Sequence, residues 1–293
     1  MEHKVENGNV RVDIYLSKLL DVSRSKISKS NLIVNGKEVK SSYIVKENDI
    51  IEIPELIEEE IKAEPEKMDL DIVYEDDDVI VVNKPNGMVV HPAIGNTKHT
   101  LVNGLLYHSK ELSKNNGEFR PGIVHRIDAY TTGLLMVAKN DKAHDFLAKQ
   151  LSEKTTHRKY IALVWGVINN DTGTIDAPIG RDINDRKKMS ITANGKEAIT
   201  HFKVLKRYKD ATLIELKLET GRTHQIRVHM NYIGHPVVND PVYGKRKLID
   251  NTGQCLHAKE LCFIHPKTKK YMEFSSELPQ CFINILNKFE EEL

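Results

Sequence analysis

Val124-His125-Arg126-Ile127-Asp128-Ala129-Tyr130-Thr131-Thr132-Gly133-Leu134-Leu135 sets a polar turn directly ahead of an apolar run that continues through Met136, Val137 and Ala138. A short apolar run bounded by a glycine predicts a buried strand over 134–138. A loop rooted on a rigid strand suits a reactive group, and the Asp128 carboxylate is the candidate. The same aspartate also suits an ordinary capping or Asx turn, and spacing alone favours that plainer reading.

Working outward, short strands are expected at 71–74, 79–82 and 160–165. Pro85 turns Lys84 away from helix. Thr200, Phe202 and Val204 alternate, as do Ile214, Leu216 and Leu218, around a turn near Asp210. Ala143, Phe146, Leu147 and Leu151 mark one face of a helix over 141–154. A helix is expected over 224–233, with Thr223 as a possible cap and Gly234 as its stop, and another at 280–292. Strands outnumber helices and cluster in hairpins. The expectation is an α+β fold with a mainly antiparallel sheet.

The N-terminal part reads differently. Val12, Tyr15, Leu16, Leu19 and Leu20 have amphipathic helical spacing. Ser23 can cap a second short helix over 24–29. Asn35-Gly36 between 32–34 and 37–39 reads as a hairpin turn, because both residues tolerate positive φ. From Arg11 to Lys46 eight cations face three anions. From Glu52 to Glu66 seven anions face one lysine. The net charge of +1 therefore hides a basic module followed by an acidic stretch. The expected organisation is a small α/β module at 1–54, an acidic connector at 55–68 and a larger domain at 69–293. The connector could instead be an acidic helix packed on the larger domain.

The 293 residues suit about two domains. With 40% hydrophobic and 29% charged residues the chain has enough to bury a core. No run approaches a membrane span, and residues 1–6 lack a signal-peptide core. Cys255, Cys262 and Cys281 form no CxxC pair, which argues against a disulfide framework or a thiolate zinc site. A reduced, cytoplasmic protein is expected. The absence of a Walker loop, GxGxxG and GxSxG weakens NTPase, Rossmann dehydrogenase and hydrolase readings.

Three further clusters stand out. Thr220-Gly221-Arg222-Thr223-His224-Gln225-Ile226-Arg227-Val228-His229 puts two arginines and two histidines at a helix start. Cations there suggest an anion to be met, either a phosphate or the Asp128 carboxylate; a solvated helix end fits as well. His224 and His229 are five apart, which disfavours a zinc site. In His157-Arg158-Lys159-Tyr160-Ile161-Ala162-Leu163-Val164, Tyr160 is either a core ring or the wall of a pocket for a planar base. Arg181, Arg186, Lys187 and Lys188 form either a phosphate-contacting loop or a solvated basic turn.

Together these segments resemble the RluA-type pseudouridine synthases, and within them the RluD-like enzymes of large-subunit ribosomal RNA. His125-Arg126-Ile127-Asp128 with Thr131 to Leu135 resembles the catalytic motif. Arg158 to Val164 resembles the motif that carries the active-site tyrosine, and Gly221 to His229 the third motif. Leu256-His257-Ala258 with Phe263-Ile264-His265-Pro266 resembles the C-terminal signature, and Arg11 to Ile53 the S4-like RNA-binding module often fused ahead. Ala129 and Tyr130 depart from the family's usual Lys and acidic residue, which bears on RNA contacts and site choice.

The resemblance implies that Asp128 is the catalytic carboxylate, Arg222 the cation that holds it and Tyr160 the ring that stacks on the target base. It implies Ile226 packing beside that ring, Arg126 filling the space the base vacates, and His125 and Thr132 near the substrate. It implies no metal and no cofactor. Arg24, Lys26 and Lys29 in the first module, and Arg186, Lys187 and Lys188 in the second, are the candidate RNA contacts. The partner the resemblance implies is structured RNA, 23S ribosomal RNA or its assembly intermediate, met by a monomer away from membranes. Transfer RNA as substrate, a non-catalytic assembly factor and a glycosidase are the alternatives. The last lacks an obvious second carboxylate.

Overall fold

The computed structural model describes residues 2–22, 24–54, 63–93, 96–115, 117, 120–185, 188–244, 246 and 248–291. The expected cap Ser23, the candidate contacts Arg186 and Lys187, and 55–62 of the expected connector lie outside them, as does the Lys26 side chain. The chain divides into two compact units, Met1–Glu60 and Ile61–Leu293.

The first unit holds strands β1 (Glu2–Lys4), β2 (Val10–Arg11), β3 (Ile33–Val34), β4 (Lys37–Glu38), β5 (Ile44–Val45) and β6 (Ile50–Glu52), with helices α1 (Val12–Leu19) and α2 (Arg24–Ser28). Asn35 and Gly36 take φ of 52° and 70°, so the Asn-Gly turn closes β3 onto β4 with both central residues left-handed. Val12 and Leu16 of α1 and Ile27 of α2 pack with Leu32, Val34, Val45 and Ile51. Leu19, expected on the apolar face, is largely exposed because α1 ends there.

The second unit contains β7 (Ile72–Glu75), β8 (Val79–Lys84), α3 (Leu101–His108), β9 (Thr132–Ala138), α4 (Asp141–Ser152), β10 (His157–Trp165), β11 (Thr172–Asp176), β12 (Ile179–Arg181), β13 (Met189–Ile191), β14 (Ile199–Arg207), β15 (Ala211–Leu218), α5 (Gln225–Tyr232), β16 (Leu256–Ile264), β17 (Tyr271–Ser275) and α6 (Gln280–Glu290). Its main sheet runs β11-β14-β15-β10-β16-β9-β8-β7, with β17 on the far half of β16. Each pairing among the described residues is antiparallel except β9 with β16, where His257 faces Thr132 and Ala258 faces Gly133.

The sheet is covered on both faces. Ile80, Val82, Leu135 and Val137 point to the side where α3 and α5 contribute Leu101, Leu105, Ile226 and Met230. Val79, Val81, Leu134 and Met136 point to the other side, against Ala143 and Leu147 of α4. Further along that second side, Ile161 and Leu163 meet Phe282, Ile285 and Phe289 of α6. Burial on both faces explains why 134–138 is a continuous apolar run rather than an alternating one. Residues 64–66 belong with this sheet domain. Glu66 N donates to Asn103 O at 2.9 Å, and Asn103 Nδ2 donates to Glu64 O at 2.7 Å.

Gly133 explains the parallel junction. Its φ is 106°, and a Cβ there would overlap the Ala258 backbone. Only glycine lets β9 approach β16 so closely at the end that carries the Asp128 loop.

Candidate active site

Asp128 sits in the loop that ends at Thr131, whose N–H returns to the Asp128 carbonyl at 3.1 Å. The loop is clamped from below by Lys84. This lysine is 1% exposed, and its Nζ donates to the carbonyls of Pro85, Met88 and Ala129 at 2.9, 2.8 and 2.8 Å. Burial pushes its pKa down to about 7, opposed by the nearby Asp128 charge. A residue read from the sequence only as turned away from helix by Pro85 thus fixes the backbone beside the candidate carboxylate.

The cation on Asp128 is Arg227, not Arg222. Arg227 Nη1 donates to Asp128 Oδ2 at 2.8 Å. Its Nε and Nη2 form a fork onto Asp240, at 2.7 and 2.9 Å. Asp240 is closed off further by the N–H groups of Val242 and Tyr243. Burial works against both charges. It is outweighed at Arg227 by Asp240 and Asp128, and at Asp240 by Arg227 and the two amides. Arg227 is therefore held protonated beyond the ordinary range and Asp240 ionised below it. Arg222 instead donates from Nε to the Glu197 carbonyl at 2.8 Å and lines the pocket edge. The difference arises at the helix start. His224 is the N-cap of α5 in a left-handed conformation, with φ 56°, and Thr223 is not the cap. The chain turns there, so the arginine inside α5 faces Asp128 while the one before the turn faces Glu197.

A cavity of about 60 Å³ opens over Asp128, lined by Arg126, Arg158, Tyr160, Arg222, His224 and Ile226 among others. Tyr160 is 5% exposed and Ile226 4%, so both give an apolar wall and keep their ring and branch in place by packing. Burial raises the Tyr160 pKa, and Asp128 adds to this against the opposing Arg158 charge, so the phenol stays neutral. Arg126 stands at the mouth with Nη1 3.3 Å from His91 Nε2. Burial, with Arg126 and Arg120 beside it, lowers His91 to about 4, so its neutral ring is free to accept that contact.

Two expected substrate contacts lie elsewhere. His125 Nε2 accepts the Met136 N–H at 3.1 Å, and burial with the Arg158 charge lowers its pKa to about 3. It ties the loop to β9. Thr132 Oγ1 pairs with His257 Nδ1 at 2.8 Å inside the fold. Neither lines the cavity; Thr131 does, with its hydroxyl taking a 3.1 Å bond from Gln254. Both side chains are consumed in joining β9 to its neighbours. Arg24 is half engaged, its Nη2 on the buried Asp13 at 3.0 Å beside Arg11. Lys188 lies 4.0 Å from Asp185.

His229 makes no zinc site with His224. Its Nδ1 and Nε2 are occupied by Thr200 and the Ala177 carbonyl at 2.9 and 3.0 Å. Asp240, Lys84 and Tyr243 were not singled out as site residues, and Arg227 and His224 appeared only as members of the Thr220–His229 cluster. The signal for Arg227 was present in the second cluster, but choosing it over Arg222 required the helix start.

Residues 78–232 match the model of the RNA pseudouridylate synthase family. The chain belongs to that family. It is an RNA pseudouridine synthase of the RluA type. It is similar to an uncharacterized RNA pseudouridine synthase of Bacillus subtilis, YlyB, with 53% identity over 98% of this chain and 96% of that one. It is 45% identical to a ribosomal large subunit pseudouridine synthase D of Neisseria meningitidis serogroup B, over 97% of this chain and 79% of that one. Among solved structures it resembles human RNA pseudouridylate synthase domain containing 1, with a TM-score of 0.59 and 27% identity over 76% of this chain and 95% of that one. The fold of this pseudouridine synthase therefore has a counterpart among solved structures.

Proposed function

We propose that this synthase isomerises uridines of 23S ribosomal RNA, with Asp128 as its catalytic carboxylate and without a metal or cofactor. The observation that carries the role of Asp128 is its ion pair to the buried Arg227–Asp240 fork at the floor of a pocket walled by Tyr160. Isomerisation breaks the N1–C1′ bond of uridine, turns the base and joins C5 to C1′. The C5 proton leaves, N1 gains one, and nothing is oxidised or reduced. An ionised carboxylate beside the sugar is the one reactive group this needs. Arg227 pairs with one of its oxygens and aims it. The target base must leave its stack, at a cost of a few kcal/mol. Tyr160 offers the stacking face that offsets this, and Arg126 at the mouth fills the gap left in the RNA.

The choice of 23S RNA rests on the names of relatives such as the Neisseria protein. A cytoplasmic, monomeric enzyme is part of the same proposal. The first unit is proposed as an S4-like RNA-binding module, supported by its two short helices and Asn-Gly hairpin. Arg24, Lys26 and Lys29 there, and Arg186, Lys187 and Lys188 in the sheet domain, are the proposed phosphate contacts. Such contacts weaken with salt by about 0.7 log units per log unit for each phosphate on single strands.

Carbodiimide mapping of 23S RNA from cells lacking this gene tests the substrate. Loss of specific pseudouridines, restored by the wild-type gene and not by Asp128→Asn, is the expected result. An unchanged 23S map with sites lost from transfer RNA keeps the chemistry and overturns the substrate.

A further inference from the structure

We infer that His224, set by Tyr243, is a positioning residue for the second oxygen of Asp128; this rests on the reading of Asp128 as the catalytic carboxylate. The two carboxylate oxygens have different surroundings. Oδ2 is held by Arg227 at 2.8 Å. Oδ1 has His224 Nε2 at 3.8 Å, with both side chains about one-fifth exposed at the cavity.

The tautomer of His224 is assigned from the partner of its other nitrogen. Nδ1 lies 2.9 Å from the Tyr243 hydroxyl. That hydroxyl accepts the Met189 N–H at 2.9 Å, and a phenol has a single hydrogen to give. With the Met189 amide on one lone pair of the oxygen, the phenolic hydrogen is assigned to Nδ1. Nδ1 is then an acceptor, and the ring hydrogen sits on Nε2, facing Oδ1. Burial keeps the imidazole neutral and Arg227 adds to this, against the pull of Asp128 and Asp240.

The backbone supports the same assignment. His224 is the N-cap of α5 yet makes no capping bond, and its φ is positive. A non-glycine residue is uncommon in that region and persists there where its surroundings over-determine it. Here the left-handed turn aims the imidazole away from the helix amides and into the site. A gap of 3.8 Å is too long for a hydrogen bond. Catalytic bonds are often long before substrate binds and tighten with it. With Arg227 on one oxygen and His224 on the other, the carboxylate loses its rotation once the base enters.

The test uses the full chain and single-turnover tritium release from RNA labelled at uridine C5. His224→Asn keeps a residue that tolerates the left-handed backbone but is too short to reach Oδ1. His224→Gln restores an N–H near the position of Nε2. The expected result is a rate about 100-fold lower for His224→Asn, as a misplaced reacting group gives. RNA affinity and the melting temperature stay at wild-type values, and His224→Gln recovers part of the rate. Adding Tyr243→Phe to His224→Asn costs nothing more, while Tyr243→Phe alone slows release. A rate for His224→Asn within twofold of wild type overturns the inference. So does a loss confined to RNA affinity, or a Tyr243→Phe effect that multiplies undiminished. If Asp128→Asn released tritium like the wild type, the reading beneath the inference would fail instead, and the two failures are distinguishable in one assay.

Discussion

Arg227 divides its donors between the buried Asp240 carboxylate and Asp128, the carboxylate proposed to react. The fork onto Asp240, which is fully buried, fixes the plane of the guanidinium, and the remaining Nη1 is thereby aimed at Asp128. Removing one partner of a buried pair leaves an uncompensated charge and costs about 3–5 kcal/mol. Asp240→Asn should therefore lower stability by that order in urea unfolding and slow tritium release, although Asp240 touches no substrate. A variant of wild-type stability would show that the fork is idle. At this scale the sequence was partly legible. Asp128, Tyr160, Ile226 and Arg126 fall together at the cavity. Arg222 reaches the cavity but pairs with Glu197 rather than Asp128, and His125 and Thr132 lie outside the lining, because a motif lists neighbours along the chain. It does not tell which side chain is spent on a strand amide, as His125 is on Met136.

Strand β9 delivers Asp128, and its first turn depends on one residue without a side chain. Gly133→Ala places a methyl group against the Ala258 backbone at positive φ. Either β9 or β16 must give way, and the Asp128 loop moves with β9. Loss of more than about 1–3 kcal/mol is expected from the backbone conformation alone, with isomerisation falling further than stability accounts for. A fully active, stable Gly133→Ala would contradict this account of the junction. The buried strand over 134–138, the 141–152 helix and the hairpin of β14 and β15 were legible from periodicity. Helix α3 was not. Its cap is a Thr100–Asn103 box rather than the Ser/Thr with Glu/Gln pattern, and its eight residues are largely apolar. Strand β16 was hidden for another reason. It pairs with β10, β9 and β17, so polar residues such as Lys259 and Glu260 interrupt its apolar pattern.

The whole molecule carries several imidazoles that fold in the neutral state. Burial lowers His91 and His257 to about 4 and His125 to about 3. In the unfolded chain each titrates near 6.5. Between those values the unfolded state binds more protons, so stability is full above pH 6.5 and falls as the pH drops toward 4. Each histidine contributes a slope of up to about 1.4 kcal/mol per pH unit. Asp240 is depressed instead, so its share is lost only below about pH 4. Urea midpoints should thus fall steadily from pH 7 to pH 4.5, before the carboxylates titrate. A flat profile over that range would show that these rings are protonated in the fold. The basic stretch over 11–46 and the acidic one over 52–66 led to an expected boundary at 54. The division itself falls after Glu60, and residues 64–66 join the sheet domain through Asn103, a contact no charge pattern announces.

The central claim is that Asp128, held by Arg227, makes pseudouridine in large-subunit RNA. Its most direct test is tritium release to water from 23S RNA lacking its own pseudouridines and labelled at uridine C5, because joining the sugar to C5 expels that hydrogen. The account predicts release by the wild type and none by Asp128→Asn, with RNA binding largely kept by the variant. Release by both proteins, or by neither while RNA stays tightly bound, would contradict it.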